Sequence, residues 1–318
     1  MKTMNTMTLD RTNLKGNWGT LLLPILKDES IDWAVLSEEM DGLIGAQVSG
    51  IYSNGTACEF HNQTEAEFDR IQVMLAEKCQ AAGMPFQIGA SHPAPALSLG
   101  RIKRSVSLRP DAFQVILPDW VVCNDEEQLT FLKGCAAAAE GIPLVLYNPP
   151  HAKQVCTPRR LYELAAAIPS LIGVKVAGGD AHWYDAMRWS VGTFSVFVPG
   201  HFLASGFSTG VACGAYSNVA CLSPKGAQWW WNLMNTDLDR ALDIERRILQ
   251  FFDECVVPFK AAGFSNPALD KLLAAAGGWC PIGTRLRWPY KWIDAQQIPY
   301  IAERARHWLP ELLSFNDH

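Results

Sequence analysis

The stretch "LIGVKVAGGD", Leu171 to Asp180, is apolar almost without interruption over its first six residues. A strand covered on one face alternates apolar and polar side chains, whereas a strand of a parallel sheet, covered on both faces, does not. The segment therefore reads as a central parallel strand. It carries one lysine, Lys175, and an ammonium is expensive in such a place. Which sheet holds this strand, and why it keeps a lysine, are the two questions the rest of the chain has to answer.

Runs of the same kind recur on both sides of "IGVKVAG" (172–178). They are "WGTLLLPIL" (18–26), "VSGIYSN" (48–54), "PFQIGAS" (85–91), "AFQVILP" (112–118), "PLVLYNP" (143–149), "FSVFVPG" (194–200) and "GVACGAY" (210–216), eight in all. Helical patterns lie between most of them. Ser30 or Asp32 can cap a helix over "WAVLSEEMDGLIG", and Thr64 with Glu67 forms a capping box. Asn124 or Asp125 opens a helix at "EEQLTFLKGC", and Thr157 with Pro158 opens one at "RRLYELAAAI". The pattern after the third run, "SHPAPALSLGRIKRSVSL", is weak and proline-rich, and "HFLASGFSTG" after the seventh is short. Unbroken alternation predicts an α/β fold with a parallel sheet. Eight units in about 200 residues favour a closed (β/α)8 barrel. An open doubly wound sheet would want a glycine-rich turn after the first strand, and "LLLPILKDES" has none. The division read from this is an N-terminal arm over 1–17, a (β/α)8 barrel over 18–222, and the last barrel helix with a C-terminal helical extension over 223–318.

The 318 residues are 49% apolar and 19% charged, with a net charge of -5. That is enough apolar mass for a large core and offers no basic patch for nucleic acid or an anionic membrane. No apolar run reaches membrane-spanning length. The polar N-terminus, "MKTMNTMTLDRTNLKGNWG", lacks the apolar stretch of a signal peptide, so a cytoplasmic protein is expected. Nine cysteines without a C-x-x-C pair read as reduced, mostly buried thiols, with no zinc site.

In a (β/α)8 barrel the reactive groups sit at the C-terminal ends of the strands. There, the second run leads into "SNGTACEF", the fifth ends in "YNPP" and the sixth in Lys175. A lysine attacks a ketone only as the free amine, and its unperturbed pKa is about 10.4. Apolar walls such as Val174 and Val176 disfavour the ammonium and lower that value. Dehydration of the carbinolamine needs a proton carrier, which Tyr147 can be, with Thr56 as a relay. Taken singly, each residue has a plainer reading: a salt-bridged lysine, a packed tyrosine, a turn capped by Glu59. Their convergence on one barrel mouth favours chemistry.

The three segments "GTACE" (55–59), "YNPP" (147–150) and "GVKVA" (173–177), in this order, resemble the dihydrodipicolinate synthase/N-acetylneuraminate lyase family of class I aldolases. There a G-[ST]-[TS]-G-E turn follows strand two, Y-N-x-P ends strand five and G-[IV]-K-x-[AS] forms strand six. The resemblance implies Lys175 as the Schiff-base lysine, Tyr147 as the proton-transfer group, and Thr56 as a hydroxyl near the keto-acid carboxylate or in the relay. It also implies a homotetramer or homodimer and no cofactor or metal, since the lysine is itself the electron sink.

Departures from the family pattern bear on the substrate. Ala57 replaces a second hydroxyl and Cys58 a glycine, beside Gly55. "LPDWVV" puts Asp119 and Trp120 where the synthases carry a relay tyrosine, and "HAKQ" puts His151, Ala152 and Lys153 where they carry a carboxylate-gripping arginine. These changes argue against a lysine-biosynthetic synthase. His151 is a substrate contact or a solvent-facing residue, and Asp119 a sugar-hydroxyl ligand or a loop residue. Gly200 and His201, in "GHF" after the seventh run, are weaker candidates, and Asn218 weaker still. "WWW" at 229–231 reads as core or subunit packing, because adjacent residues on a helix point in different directions. The expected activity is a lyase or aldolase on pyruvate or a 2-keto(-3-deoxy) acid. The alternatives are a dehydratase or decarboxylase using the same Schiff base, and a small-ligand-binding barrel without catalysis.

Overall fold

In the computed structural model, which describes residues 9–316, eight parallel strands close into a barrel in sequence order. They are β1 (Gly16–Thr20), β2 (Gly50–Ser53), β3 (Phe86–Gly89), β4 (Ala112–Ile116), β5 (Leu144–Tyr147), β6 (Leu171–Lys175), β7 (Ser195–Val198) and β8 (Ala212–Tyr216). Closure is through β8, whose Tyr216 pairs with Trp18 of β1. Helices α1 (Trp33–Gly45), α2 (Glu65–Ala82), α3 (Pro95–Ser105), α4 (Asp125–Ala138), α5 (Pro158–Ala167), α6 (Ala181–Met187) and α7 (Leu203–Ser208) follow the first seven strands. The (β/α)8 expectation holds. Residues 1–8 of the expected arm lie outside the described residues.

The caps act as the sequence predicts. Asp32 accepts from the N–H groups of Ala34 and Val35, and Thr64 and Glu67 complete their capping box. Two local expectations need correction. The first run is not one strand: β1 ends at Thr20, because the Leu22 N–H turns to the buried carboxyl of Glu39 at 2.7 Å and Pro24 has no N–H to offer. The helix after β3 is not weak: α3 runs 11 residues, with Pro95 in its first turn, where a proline is tolerated, and its buried Arg101 tied to Glu65 at 2.8 Å.

After β8 come α8 (Asn218–Leu222), α9 (Pro224–Met234), α10 (Leu238–Cys255), α11 (Val257–Ala261), α12 (Asn266–Gly277), α13 (Ile298–Trp308) and α14 (Pro310–Leu313). Helix α9 packs beside β1 and α1 and takes the place of the eighth barrel helix. Its Trp230 is buried, with the indole N–H donating to the Ala241 carbonyl at 3.0 Å, so "WWW" packs the core. Helix α12 turns back over the mouth of the barrel, against α8 and a short turn at Thr56–Cys58. It is buried nearly all round, and its approach to α8 requires Gly277, where a Cβ would lie 1.8 Å from the Leu222 carbonyl oxygen. The core has two parts: a layer between barrel and helices, and a filling of the barrel itself by Leu14, Trp18, Tyr52, Ala112, Val145, Ile172, Phe197 and Tyr216. All nine cysteines are free thiols, and seven are buried. Among the described residues no helix is long and apolar enough to cross a membrane.

Candidate active site

Lys175 is the last residue of β6 and pairs in register with Tyr147, the last residue of β5. Both side chains point into the barrel. The lysine Nζ stands 4.2 Å from the centre of the Tyr147 ring, 5.2 Å from that of Tyr52 and 5.3 Å from that of Tyr216. Three aromatic faces thus enclose one amine. Tyr52 and Tyr216 are site residues that the sequence reading passed over. Period-2 alternation within β2 and β8 was the available signal, since it puts both rings inside the barrel. Below them lies a polar floor: the Tyr216 hydroxyl donates to Gln87 Oε1 at 2.7 Å, with Gln114 alongside.

This enclosure sets the titration of the pair. Lys175 is largely withdrawn from solvent, and burial lowers its pKa to about 8, against the opposing pull of Asp270 and Cys221. A useful fraction of free amine therefore exists near neutral pH. Burial pushes the Tyr147 phenol up, and a hydrogen bond with the Thr56 hydroxyl pulls it back down. Thr56, on the turn after β2, is thus bonded to Tyr147 at the end of β5, whose ring faces the Lys175 amine at the end of β6.

The turn that carries Thr56 is rigid. Gly55 lies so close to Tyr52 that a Cβ would come within 2.6 Å of its ring. Ala57 and Cys58 are buried, and burial raises the Cys58 thiol to about 12, so it is an inert packing group. The Gln63 amide donates to the Cys58 carbonyl at 2.7 Å and to Asn54 Oδ1 at 3.2 Å. Glu59 does not cap a helix. It sits in the left-handed region at φ 50°, fully buried, and holds the buried ammonium of Lys271 at 2.7 Å. Its other oxygen accepts from the Arg287 N–H at 3.2 Å.

The remaining candidates occupy the rim. His151 is exposed, on the loop after β5. That loop is clasped by Asn148, whose side chain accepts from the Cys156 N–H at 2.9 Å and donates to the Cys156 carbonyl at 3.0 Å. Asp119 accepts from the Lys153 N–H at 2.7 Å, stapling the loops after β4 and β5, and Trp120 beside it is 83% exposed. The two loops leave a narrow cavity between them, lined by Asp119, Tyr147 and Asn148 among others. Gly200 fits only as glycine, because a Cβ would meet Ser217 Oγ at 2.5 Å. His201 packs against Phe252, with ring centres 5.0 Å apart, and its Nδ1 is 2.8 Å from the Asn218 amide nitrogen. Burial lowers its pKa to about 4, so the ring is neutral at physiological pH.

The helical extension also reaches the site. Asp270 of α12 has neither an ion pair nor a hydrogen bond among the described residues. Its charge acts on Lys175, Tyr147 and Cys221 together. Burial raises its pKa to about 7, with Lys175 opposing. A larger cavity, about 460 Å³, opens at the opposite end of the barrel between Arg11, Lys15, Ser195, Cys213 and Trp231. It lies at the N-terminal ends of the strands, away from the Lys175 cluster.

The model of the dihydrodipicolinate synthetase family matches residues 13–299, nearly the whole chain. The chain belongs to that family. The 4-hydroxy-tetrahydrodipicolinate synthase of Jannaschia sp. (strain CCS1) is 26% identical over 299 residues, covering 92% of this chain and 98% of the relative. The N-acetylneuraminate lyase of Escherichia coli O1:K1 / APEC is 22% identical, over 56% of this chain and 59% of its own. Among solved structures, YagE, a prophage protein of the dihydrodipicolinic acid synthase family from E. coli K12 in complex with pyruvate, superposes with a TM-score of 0.81 at 19% identity. It covers 93% of this chain and 98% of its own. As a member of this family the protein is an enzyme, a carbon–carbon or carbon–oxygen lyase of the class I aldolase type.

Proposed function

We propose that the protein is a Schiff-base-forming aldolase that cleaves or forms a carbon–carbon bond in a 2-keto acid built on pyruvate, with Lys175 as nucleophile. The observation that carries this reading is the enclosure of the Lys175 amine by Tyr147, Tyr52 and Tyr216, with Thr56 bonded to Tyr147. A desolvated amine beside a phenol and a relay hydroxyl has what imine chemistry needs.

In the cleavage direction the free amine of Lys175 attacks the keto carbon. The Tyr147 phenol gives a proton to the departing oxygen, which leaves as water, and the iminium forms. The proton on the hydroxyl of the carbon beyond the scissile bond passes to the Tyr147 phenolate. The electron pair of that bond then flows into the iminium, releasing an aldehyde and leaving an enamine. Protonation at carbon and addition of water return pyruvate and the free lysine. Each proton Tyr147 gives it later regains, and Thr56 holds the phenol in reach.

Two features support a role other than lysine biosynthesis. Asp119 stands after β4 where the synthases have a relay tyrosine, and it is spent on the Lys153 backbone. His151, near the place of their carboxylate-gripping arginine, faces solvent.

The test is intact-protein mass after incubation with pyruvate and borohydride, with Lys175→Ala as control. Wild type gaining pyruvate less water plus two hydrogens, and the variant gaining nothing, is the expected result. No adduct on wild type with any of a panel of 2-keto acids overturns the reading.

A further inference from the structure

The cavity of about 460 Å³ at the N-terminal ends of the strands takes no part in the chemistry above. It opens where β7 and β8 begin, at Ser195, Ala212 and Cys213. Residues 11–15 cross these strand ends and form part of its wall. The Ser195 hydroxyl donates to the Arg11 carbonyl at 3.1 Å, and the Cys213 sulfur lies 3.8 Å from the Leu14 carbonyl oxygen. Much of the remaining wall is apolar. Phe207 and Trp231 meet edge to face there, with ring centres 5.6 Å apart, beside Phe194 and Val211.

The formal charge in this wall has one sign. Arg11 and Lys15 line it, and no aspartate or glutamate does. Neither cation has an ion pair among the described residues, and residues 1–8, "MKTMNTMT", contain no acidic side chain. Asp10, next to Arg11 in sequence, is spent on its own turn, where it accepts from the Thr12 N–H at 2.7 Å and the Asn13 N–H at 3.1 Å. Burial raises the pKa of the Cys213 thiol, so it stays neutral and supplies no counter-charge. A second observation points the same way. Trp231 is only 9% exposed, yet among the described residues its indole N–H donates to nothing. Buried indole N–H groups ordinarily find an acceptor. Those of Trp18, Trp230, Trp279 and Trp308 each donate to a carbonyl or carboxylate oxygen.

We propose that this cavity is a second binding site, for a small carboxylic acid with an aromatic or branched apolar body. The apolar body fills the corner made by Phe207 and Trp231. The carboxylate accepts from the Trp231 N–H and lies in the field of Arg11 and Lys15, which draws anions and repels cations. The volume suits such a ligand, since small-molecule sites run from about 300 to 1,000 Å³ and combine apolar walls with a few convergent polar groups. The site lies at the other end of the barrel from Lys175, so its occupancy rests on no part of the Schiff-base reading.

The test is calorimetric titration of the full chain with phenylacetate, 3-methylbutanoate and indole-3-acetate, none of which has a keto group for Lys175 to attack. The amide of each acid serves as its neutral twin. At least one acid should bind one to one with a Kd of about 1 mM or tighter, and its amide at least ~tenfold more weakly. Arg11→Gln with Lys15→Gln should weaken the acid at least ~tenfold and leave the amide unchanged. Both side chains are exposed, so this variant should fold as wild type does. Trp231→Phe keeps a ring in the wall and removes the N–H, and should weaken the acid about three- to tenfold. Should Trp231→Phe fail to fold, the charge variant alone decides. Lys175→Met should bind the acid as wild type does. Binding by none of the three acids overturns the proposal, as does an amide that binds as well as its acid, or an acid that binds the Arg11/Lys15 variant undiminished. Binding lost in Lys175→Met places the acid at the mouth and overturns it too.

Discussion

The Lys175 Nζ lies 4.2 Å from the centre of the Tyr147 ring, on the neighbouring strand at the same level of the ladder. Strand register alone produces this meeting. Each residue ends its strand, each points inward, and parallel pairing brings them level. The lysine gains a cation–π contact but loses water, and the loss dominates, because its pKa falls to about 8.

That balance makes Lys175 a cost to the fold. Its pKa in the folded state lies below the ordinary lysine value, so the penalty is present in full below about pH 8. It fades as pH rises toward the unfolded value of about 10.4. Lys175→Met should therefore abolish pyruvate trapping and also stabilise the protein. The expected gain at pH 7 is about 1–2 kcal/mol, discounted because the residue is not wholly buried. Denaturant midpoints at pH 7 and pH 10 measure it: the gain should shrink at the higher pH. A destabilised variant at pH 7 would refute the claim that burial controls this amine.

Tyr147→Phe keeps the ring beside Lys175 and removes only the proton carrier. The pyruvate adduct should still form on long incubation, while turnover falls by about 10²–10⁴. Thr56→Val should cost less. Because the Thr56 hydrogen bond holds the Tyr147 pKa down, its loss should move the alkaline limb of the rate profile to higher pH. Steady-state rates followed from pH 7 to beyond the ordinary phenol value of about 10 decide this, and a limb that moves down or stays fixed counts against the relay.

The barrel and the Lys175–Tyr147 pair were legible in the sequence because both depend on local pattern: apolar runs of strand length, and reactive residues at their ends. Tyr52 and Tyr216 were hidden in the same runs, where an inward-facing aromatic looks like filling. Asp270 was out of reach for another reason. Nothing in "NPALDKLL" says that α12 folds back over the mouth, since that depends on Gly277 meeting the Leu222 carbonyl far away in sequence. Glu59 looked like a turn cap because its partner, Lys271, lies 212 residues further on. The first run was read too long because the carboxyl that ends β1 comes from Glu39 on another element.

Gly55 is required by packing rather than by backbone freedom, since its φ is -78°. A methyl group there would press on the Tyr52 ring at 2.6 Å and its hydroxyl at 2.8 Å. The ring also faces the Lys175 amine, with its centre 5.2 Å away. Gly55→Ala should lower stability by about 1–3 kcal/mol and turnover by more than that loss explains, because a shifted Tyr52 crowds the amine. Trapping rates below the unfolding range test this, and an unchanged rate would mean the turn yields instead of the ring.

Lys271 and Glu59 bind the Thr56 turn to α12 through an ion pair with side-chain exposures of 0% and 1%. Removing one member strands the other charge away from water, which costs about 3–5 kcal/mol, whereas removing both costs less. Lys271→Met should therefore be the more damaging change, and Lys271→Met with Glu59→Leu should recover part of the loss. Recovery will be incomplete, because the Arg287 N–H and the Arg285 carbonyl lose partners in either case. Chemical denaturation of the two single variants and the double variant measures the coupling. Additive losses would show that the two charges do not depend on each other, and that the turn bearing Thr56 is held by its own hydrogen bonds through Gln63 instead.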